Sequence, residues 1–379
     1  MAQRRIGIAE IKIGSPLPWD AYDGIGKLLL SKGFIVESAR QAETLVERGL
    51  FAEAAPSAKT SIVDASPPKE TEPPSILRLL NAANTQLEKL FNGIQNEQSF
   101  PAKLLDIAKL VIFATELNHD IATATVLLNQ YSNYFSRHCI DASVVSILIA
   151  RSLKFTQEET IKLVAACLTM NIGMLRYYRD IQSKQALTDE QSARIRQHPQ
   201  ESVAILQGAG VTDPDWLEYV LSHHESEDGK GYPSGMTRED IPQPGKIISL
   251  ADIYCARVSA RDYRKSVLPN VALRDIFLER GRGIDALLAA VFIKELGIYP
   301  PGTLVKLTNG EIGVVSEKGE NANKPIVHVL VGSQGVRTAS SIKRNTAINE
   351  LFTIKEALSA EAASVNFSMQ QVWGVQASL

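Results

Sequence analysis

The sequence predicts a mainly α protein in which one large helical domain lies between two small β-rich regions. From about residue 76 to 297, apolar residues recur at the three- and four-residue spacing of amphipathic helices. Alternating apolar residues in 1–51 and in 298–350 predict short strands instead. Residues 52–75 are rich in proline, alanine and serine and predict a flexible linker, and residues 351–379 form a tail.

The first 51 residues are expected to form a small β domain. Residues 6–13 alternate apolar and other side chains, which suits a half-buried strand. Residues 28–30 and 34–36 flank a short glycine-containing turn, which predicts a hairpin. A short helix is expected over residues 38–49. The segment has no histidine or cysteine, so we expect a docking or regulatory module.

Start signals divide the helical region into several predicted helices. The first lies near residues 77–91, and Pro101 begins the second, because proline suits the first helical turn. Two more are expected over residues 120–135 and 141–153. Thr156, with a glutamate three residues later, forms a capping-box start for the next helix. Such an array predicts an all-helical core.

The C-terminal region, residues 298–350, is predicted to be a small β subdomain. Asn309 and Gly310 lie between two alternating runs, which is the strongest short-range hairpin signal. Residues 326–331 predict a third strand, and His328 within it is interpreted as structural. Residues past about 355 are expected to form a loose terminal helix.

Composition narrows the classes of function. The formal net charge is −2, so no global basic field indicates duplex DNA or an anionic membrane as a partner. Three cysteines at unrelated spacings do not form a disulfide framework, which favours a reducing cytoplasm. The apolar runs are far shorter than a membrane span, and we expect no signal peptide.

The stretch from residue 222 to 235 carries the strongest chemical signal. His223 and His224 are adjacent and run into a Gly-Tyr-Pro turn. Neutral imidazole binds transition metals well, and glycine lets the backbone approach a ligand closely. Two half-buried helix-end histidines with ordinary hydrogen bonds are the alternative that the pair alone leaves open.

The residues around this stretch extend the pattern. Upstream lies Arg196-Gln197-His198-Pro199, and downstream lie the apolar run around Asp252 and the segment Arg261-Asp262-Tyr263-Arg264. This ordered set, from about residue 130 to 300, resembles the HD-GYP domain, the bacterial cyclic di-GMP phosphodiesterase branch of the HD metal-dependent phosphohydrolases.

The resemblance implies a fold and a role for each matching residue. It implies a helical HD-GYP domain flanked by the two small β modules. The implied metal ligands are His198, His223, His224 and Asp252, and the implied nucleotide contacts are Tyr232, Arg261 and Arg264. Arginine forks suit phosphate or a guanine edge, and an aromatic ring can stack on a base. Without the motif, the two arginines would be interpreted as a solvated surface.

The sequence departs from the family where a His-Asp dipeptide should supply further ligands. Met170 stands in the place of that histidine and Asn171 in the place of the aspartate. A thioether binds hard divalent metals poorly, and a neutral amide cannot supply a bridging anionic oxygen. Tyr134 stands where three-metal members carry a glutamate. A literal His119-Asp120 occurs too far upstream and is interpreted as a helix start with Asp120 as its cap.

The resemblance, with these departures, implies a degenerate HD-GYP protein. We expect it to bind cyclic di-GMP or to act in signalling, with an impaired two-metal site and with iron or manganese at reduced stoichiometry. A diguanylate cyclase domain or another signalling protein would be the partner, and a homodimer and a cytoplasmic location are expected. The alternatives are an active phosphodiesterase that produces pGpG or GMP, and a helical scaffold without a ligand.

Overall fold

The fold is taken from a computed structural model, which describes residues 3–5, 11, 13–17, 19–22, 28–36, 38, 41–42, 46, 51–53, 73–177, 188–259 and 266–379. The chain divides into two units, Met1–Glu70 and Thr71–Leu379. The predicted strand at residues 6–13 and the predicted helix at 38–49 fall mostly outside the described residues.

The first unit contains a four-stranded antiparallel sheet. Its strands are β1 (Gln3–Arg5), β2 (Ala21–Tyr22), β3 (Leu28–Leu30) and β4 (Phe51–Glu53), in the spatial order β1-β4-β2-β3. Strand β4 extends the sheet into the segment that we predicted to be linker. Leu17, Ala21 and Val36 are buried in the small core beside the sheet.

The predicted hairpin between residues 28–30 and 34–36 is wrong in its pairing. The turn exists, since the amide of Phe34 donates to the carbonyl of Ser31 at 3.0 Å. Strand β3 pairs with β2, however, whereas the 34–36 segment lies along Leu17, which donates to the Phe34 carbonyl at 2.9 Å. A turn signal identifies the reversal of the chain but not the strand that pairs beyond it.

Among its described residues, the second unit contains ten longer helices followed by a sheet. The helices are α1 (Ile76–Asn92), α2 (Phe100–Leu117), α3 (His119–Leu128), α4 (Tyr134–Ser152), α5 (Gln157–Thr169), α6 (Asp189–Gly208), α7 (Pro214–Ser222), α8 (Gln243–Val258), α9 (Pro269–Glu279) and α10 (Ala286–Leu296). The predicted all-helical core is confirmed. The capping box at Thr156 is also confirmed, with Glu159 bonded back to the Thr156 amide at 2.7 Å.

The predicted helix at residues 120–135 is instead divided between α3 and α4. Helix α3 ends at Leu128, and Ser132 adopts a left-handed backbone with φ of 63°. The side chain of Asn133 then caps α4 by accepting from the amide of Ser136 at 3.1 Å. The cap of α3 is Asn118 rather than Asp120, whose carboxylate accepts from the amide of Lys318.

Helix α4 lies at the centre of the helical core. Its residues from Phe135 to Ala150 are all buried, and α5, α8 and α10 pack against it. Because every face of α4 is buried, its polar residues, such as His138 and Asp141, lie in the interior together with its apolar ones. The three cysteines are buried and free, in agreement with the prediction that they form no disulfide framework.

The C-terminal sheet has five antiparallel strands. They are β5 (Leu304–Leu307), β6 (Ile312–Glu317), β7 (Ile326–Val331), β8 (Arg337–Asn345) and β9 (Ile354–Leu358), in the order β8-β7-β6-β5-β9. The predicted hairpin at Asn309-Gly310 is confirmed as the β5–β6 turn. Strand β9 lies beyond the predicted boundary at residue 350, because it pairs with β5. Two short helices, α11 (Ala360–Ala363) and α12 (Met369–Trp373), follow it.

Across the described part of the chain, no helix is both long and apolar enough to cross a membrane.

Candidate metal centre

Helix α6 fixes the orientation of His198. A capping box at Thr188 and Gln191 begins the helix. Pro199 lies inside the helix and has no amide hydrogen, so it cannot donate to the carbonyl of Ile195 one turn earlier. That carbonyl is instead 2.6 Å from Nδ1 of His198. The proline therefore releases an acceptor that holds the imidazole ring, and Nε2 is left to face the site.

His223 is held in the same way at the end of α7. The helix ends at Ser222, so the carbonyls of its last turn have no partners within the helix. One of them, on Val220, is 2.6 Å from Nδ1 of His223. His224 follows directly, with its ring centroid 4.1 Å from that of His223 and 5.0 Å from that of His198.

The two fixed histidines point the same kind of atom at each other. Nε2 of His198 is 3.1 Å from Nε2 of His223, and both side chains are fully buried. Because each Nδ1 faces a carbonyl, each carries the proton, and a neutral ring then has only a lone pair at Nε2. Burial, with the neighbouring His223, lowers the pKa of His198 to about 3, so neutral rings are favoured. The lone pairs of the two Nε2 atoms therefore face each other with no hydrogen atom between them.

This donor set fits one divalent metal ion. Ligand atoms of His198, His223 and His224 all lie within 4.8 Å of one another. Metal–nitrogen bonds of about 2.0–2.1 Å place two imidazole nitrogens on one ion roughly 3 Å apart, close to the spacing found here. Burial also lowers the pKa of His223, and that of His224 lies well below its ordinary value, so protons compete weakly for these nitrogens. The three histidines would hold the ion, which would supply a Lewis acid or an activated water.

Asp252 on α8 lies beside the cluster and is held by His138. Its Oδ1 is 2.6 Å from Nε2 of His138, and the hydroxyl of Tyr134 is 3.2 Å from Nδ1 of the same ring. Burial opposes ionisation, but the hydrogen bond from His138 and the nearby histidines lower the pKa of Asp252 well below its ordinary value. Both nitrogens of His138 are thus engaged, unlike Nε2 of His198 and His223.

Met170 and Asn171 lie directly after α5, against the helix that carries His198. The hydroxyl of Ser202 donates to the carbonyl of Met170 at 2.9 Å and accepts from the amide of Gly173 at 2.9 Å. A β-carbon on Gly173 would come within 2.5 Å of the His198 carbonyl. The side chains of Met170 and Asn171 are both buried, so this part of the interior contains a thioether and an amide.

The Gly-Tyr-Pro loop covers the histidines with Tyr232. Its ring stacks on His224, with centroids 4.7 Å apart and an angle of 29° between the planes. Glu225 is buried and accepts from the amides of Ser234 and Met236 at 2.7 and 2.9 Å, which closes the loop on itself. Gly231 lacks the β-carbon that would lie 2.4 Å from the amide nitrogen of Ser226. These contacts therefore give the loop a defined conformation above the histidine cluster.

Of the residues that the sequence singled out, the structure brings together His198, His223, His224, Asp252 and Tyr232. Arg261 and Arg264 lie outside the described residues. The sequence did not predict the hydrogen bond between Asp252 and His138. It also did not predict that Glu225 accepts hydrogen bonds from the amides of Ser234 and Met236. An acid directly after the histidine pair, Glu225, was the one sequence signal for those hydrogen bonds.

Comparison with known proteins places this site within a matched domain. A family model described as "HD domain" matches residues 116–288. The cyclic di-GMP phosphodiesterase PA4108 of Pseudomonas aeruginosa is 30% identical over 226 residues, which is 59% of this chain and 54% of the relative. The cyclic di-GMP phosphodiesterase PdeB of Borreliella burgdorferi is 25% identical over 202 residues, 53% of each chain. The chain thus spans about half the length of these relatives.

Among solved structures, Bd1817 of Bdellovibrio bacteriovorus, described as an HDG"Y"P protein, aligns with 77% of this chain and 98% of its own. The sequence identity is 16% and the TM-score is 0.49.

Proposed function

We propose that this chain, which belongs to the HD-GYP family of HD-domain proteins, binds cyclic di-GMP above a single divalent metal ion and does not turn it over at the rate of a two-metal enzyme. The observations that carry the proposal are the 3.1 Å approach of the two Nε2 atoms and the burial of Met170 and Asn171 in the segment bonded to the helix that carries His198. One set of metal ligands is assembled, and the side chains that should complete a second are a thioether and an amide.

The first part of the proposal concerns the metal. His198, His223 and His224 would hold one ion, and Asp252 would lie beside it as a carboxylate that His138 keeps ionised. Three imidazoles and one carboxylate suit manganese, iron or zinc. A two-metal displacement needs a bridging anionic ligand, which neither Met170 nor Asn171 can supply.

The second part concerns the nucleotide. The curated relatives PA4108 and PdeB are named for cyclic di-GMP, and the Gly-Tyr-Pro loop of this chain is folded above the histidines. Tyr232, Arg261 and Arg264 are the residues that we expect to contact the ligand. The ion would supply positive charge for a phosphodiester of cyclic di-GMP, and the two arginines would neutralise the rest of the phosphate charge. A protein that binds without turnover suits a signalling role with a protein partner.

Calorimetric titration of the full chain with cyclic di-GMP tests binding, and chromatography of the same sample tests turnover. We expect saturable binding, weaker in Tyr232→Ala, and no pGpG or GMP after incubation with manganese under reducing conditions. Formation of pGpG or GMP that disappears in His224→Ala would establish the alternative, an active phosphodiesterase. Absence of binding by the metal-loaded wild type would overturn the proposal.

A further inference from the structure

We propose that Arg196 binds a phosphate group of the cyclic dinucleotide at the mouth of the histidine cluster, an inference that rests on the proposed function. Arg196 lies on α6, two residues before His198, and its side chain is exposed. Its guanidinium carbon lies 5.6 Å from the centroid of the Tyr232 ring. That ring stacks in turn on His224. A column of guanidinium, phenol and imidazole therefore leads from solvent to the candidate metal ligands.

The guanidinium keeps its charge available for a ligand. Within the described part of the chain, the side chain of Arg196 forms no ion pair and no hydrogen bond, and its guanidinium lies over the ring of Tyr232. The other cations on or beneath the Gly-Tyr-Pro loop are neutralised. Lys246 and Arg238 both bind Glu227, at 2.8 and 3.2 Å, and Lys230 binds Asp228. Among the described residues, Arg196 is thus held by the ring of Tyr232 rather than by an acid.

The same contact limits how a base could use Tyr232. His224 occupies one face of the ring, and Arg196 lies over the ring as well. A base that stacked on Tyr232 would have to displace the guanidinium or share the face with it. A phosphate oxygen has no such conflict, because it would meet the N–H groups at the edge of the guanidinium fork. The geometry therefore favours a contact between Arg196 and a phosphate of the ligand over stacking of a base on Tyr232.

Helix α6 offers a matched control in Arg194. Its guanidinium carbon lies 4.8 Å from the ring of Tyr177, so it makes the same kind of contact with a different tyrosine. The Tyr177 hydroxyl donates to Glu201, so a carboxylate lies close to that ring. Two residues along a helix correspond to about 200° of rotation, which directs the two arginines to different sides of α6. Arg194 shares the helix, charge and exposure of Arg196 but not its ring above the histidines.

The test is calorimetric titration of the metal-loaded full chain with cyclic di-GMP for wild type, Arg196→Ala, Arg196→Met, Arg196→Lys and Arg194→Ala. We expect Arg196→Ala and Arg196→Met to weaken binding roughly tenfold or more, since a charge-assisted hydrogen bond is lost. Arg196→Lys keeps the charge without the fork and should lose only a few-fold. Arg194→Ala should bind within about twofold of wild type, given that exposed substitutions have small effects.

The variants separate ligand binding from support of the Tyr232 ring. Methionine keeps an unbranched side chain over the ring, so wild-type affinity in Arg196→Met would mean that Arg196 only packs, and the inference would be wrong. Equal affinities for Arg196→Ala and Arg194→Ala would also overturn it, with the proposed function intact. If wild type itself failed to bind, the proposed function and the inference would fall together. Circular dichroism and metal content identify any variant that misfolds.

Discussion

Oδ1 of Asp252 lies 2.6 Å from Nε2 of His138, although 114 residues separate the two in the chain. This bond, extended by the hydroxyl of Tyr134, divides the buried histidines into two classes. His138 has both nitrogens engaged in hydrogen bonds, whereas His198 and His223 have only Nδ1 bonded to a carbonyl. The interior thus contains one histidine that holds a carboxylate and a separate group that can hold a metal.

Removing His138 should therefore cost more than removing the end of its hydrogen-bond chain. His138→Ala leaves the Asp252 carboxylate buried without its donor, and we expect the free energy of unfolding to fall by about 3 kcal/mol. Tyr134→Phe deletes only one hydroxyl and should cost about 1 kcal/mol. Urea denaturation measures both losses in the free energy of unfolding. The slope of that free energy against urea concentration should be the same in wild type and in both variants. Equal losses in the two variants would mean that the carboxylate is not held by His138.

Pro199→Ala should weaken metal binding without weakening the helix. The new amide at position 199 can donate to the Ile195 carbonyl, which then competes with Nδ1 of His198. Loss of such an orienting bond commonly costs roughly 10–100-fold in metal affinity. The stability of the metal-free protein should stay the same or rise, as alanine favours a helix interior. Competition titration with a fluorescent chelator measures the affinity, and wild-type affinity in this variant would contradict the explanation.

The double variant Met170→His/Asn171→Asp should restore a second metal site. It supplies an imidazole and a carboxylate directly after α5, against the helix that carries His198. We expect metal content to double and pGpG to appear on incubation with cyclic di-GMP. Asn171→Asp alone is the control, because it adds the carboxylate without the imidazole and should gain little. An unchanged metal content in a well-folded double variant would place the missing ligands elsewhere.

The metal-free protein should lose stability as the pH falls below about 6.5. Burial holds the pKa of His198 at about 3, whereas the unfolded chain titrates near 6.5. Between these values the unfolded state binds more protons, so the free energy of unfolding decreases as the pH decreases. Relative to His198→Gln, which does not titrate, wild type should lose up to about 1.4 kcal/mol per pH unit. Denaturation with chelator at pH 7, 6 and 5 measures it, and a constant difference would contradict it.

The helices that begin at a cap were predictable because a cap is a local signal. Thr156 starts its helix with the capping box that its sequence indicates, and Thr188 starts α6 with the same motif. The break between α3 and α4 was not predicted, since apolar residues continue toward it and only Ser132 and Asn133 mark the turn. Pairing of β3 with β2 rather than with residues 34–36 depends on tertiary contacts that no short window contains.

The candidate site was predictable only in part. Adjacency indicated His223 and His224, and the resemblance added His198 and Asp252. The bond between Asp252 and His138 joins α8 to α4, and the effect of Pro199 depends on the free Ile195 carbonyl. Neither interaction can be predicted from the sequence without knowledge of the fold. The position of Arg196 over Tyr232 likewise joins α6 to the loop that follows α7.

The most direct test of the central claim is elemental analysis of the full chain purified without chelators. One divalent metal ion per chain in wild type, and none in His223→Ala that remains folded, is the result predicted by a single histidine cluster without a bridging anion. Two ions per chain in wild type would contradict the account, because Met170 and Asn171 would then not have removed the second site.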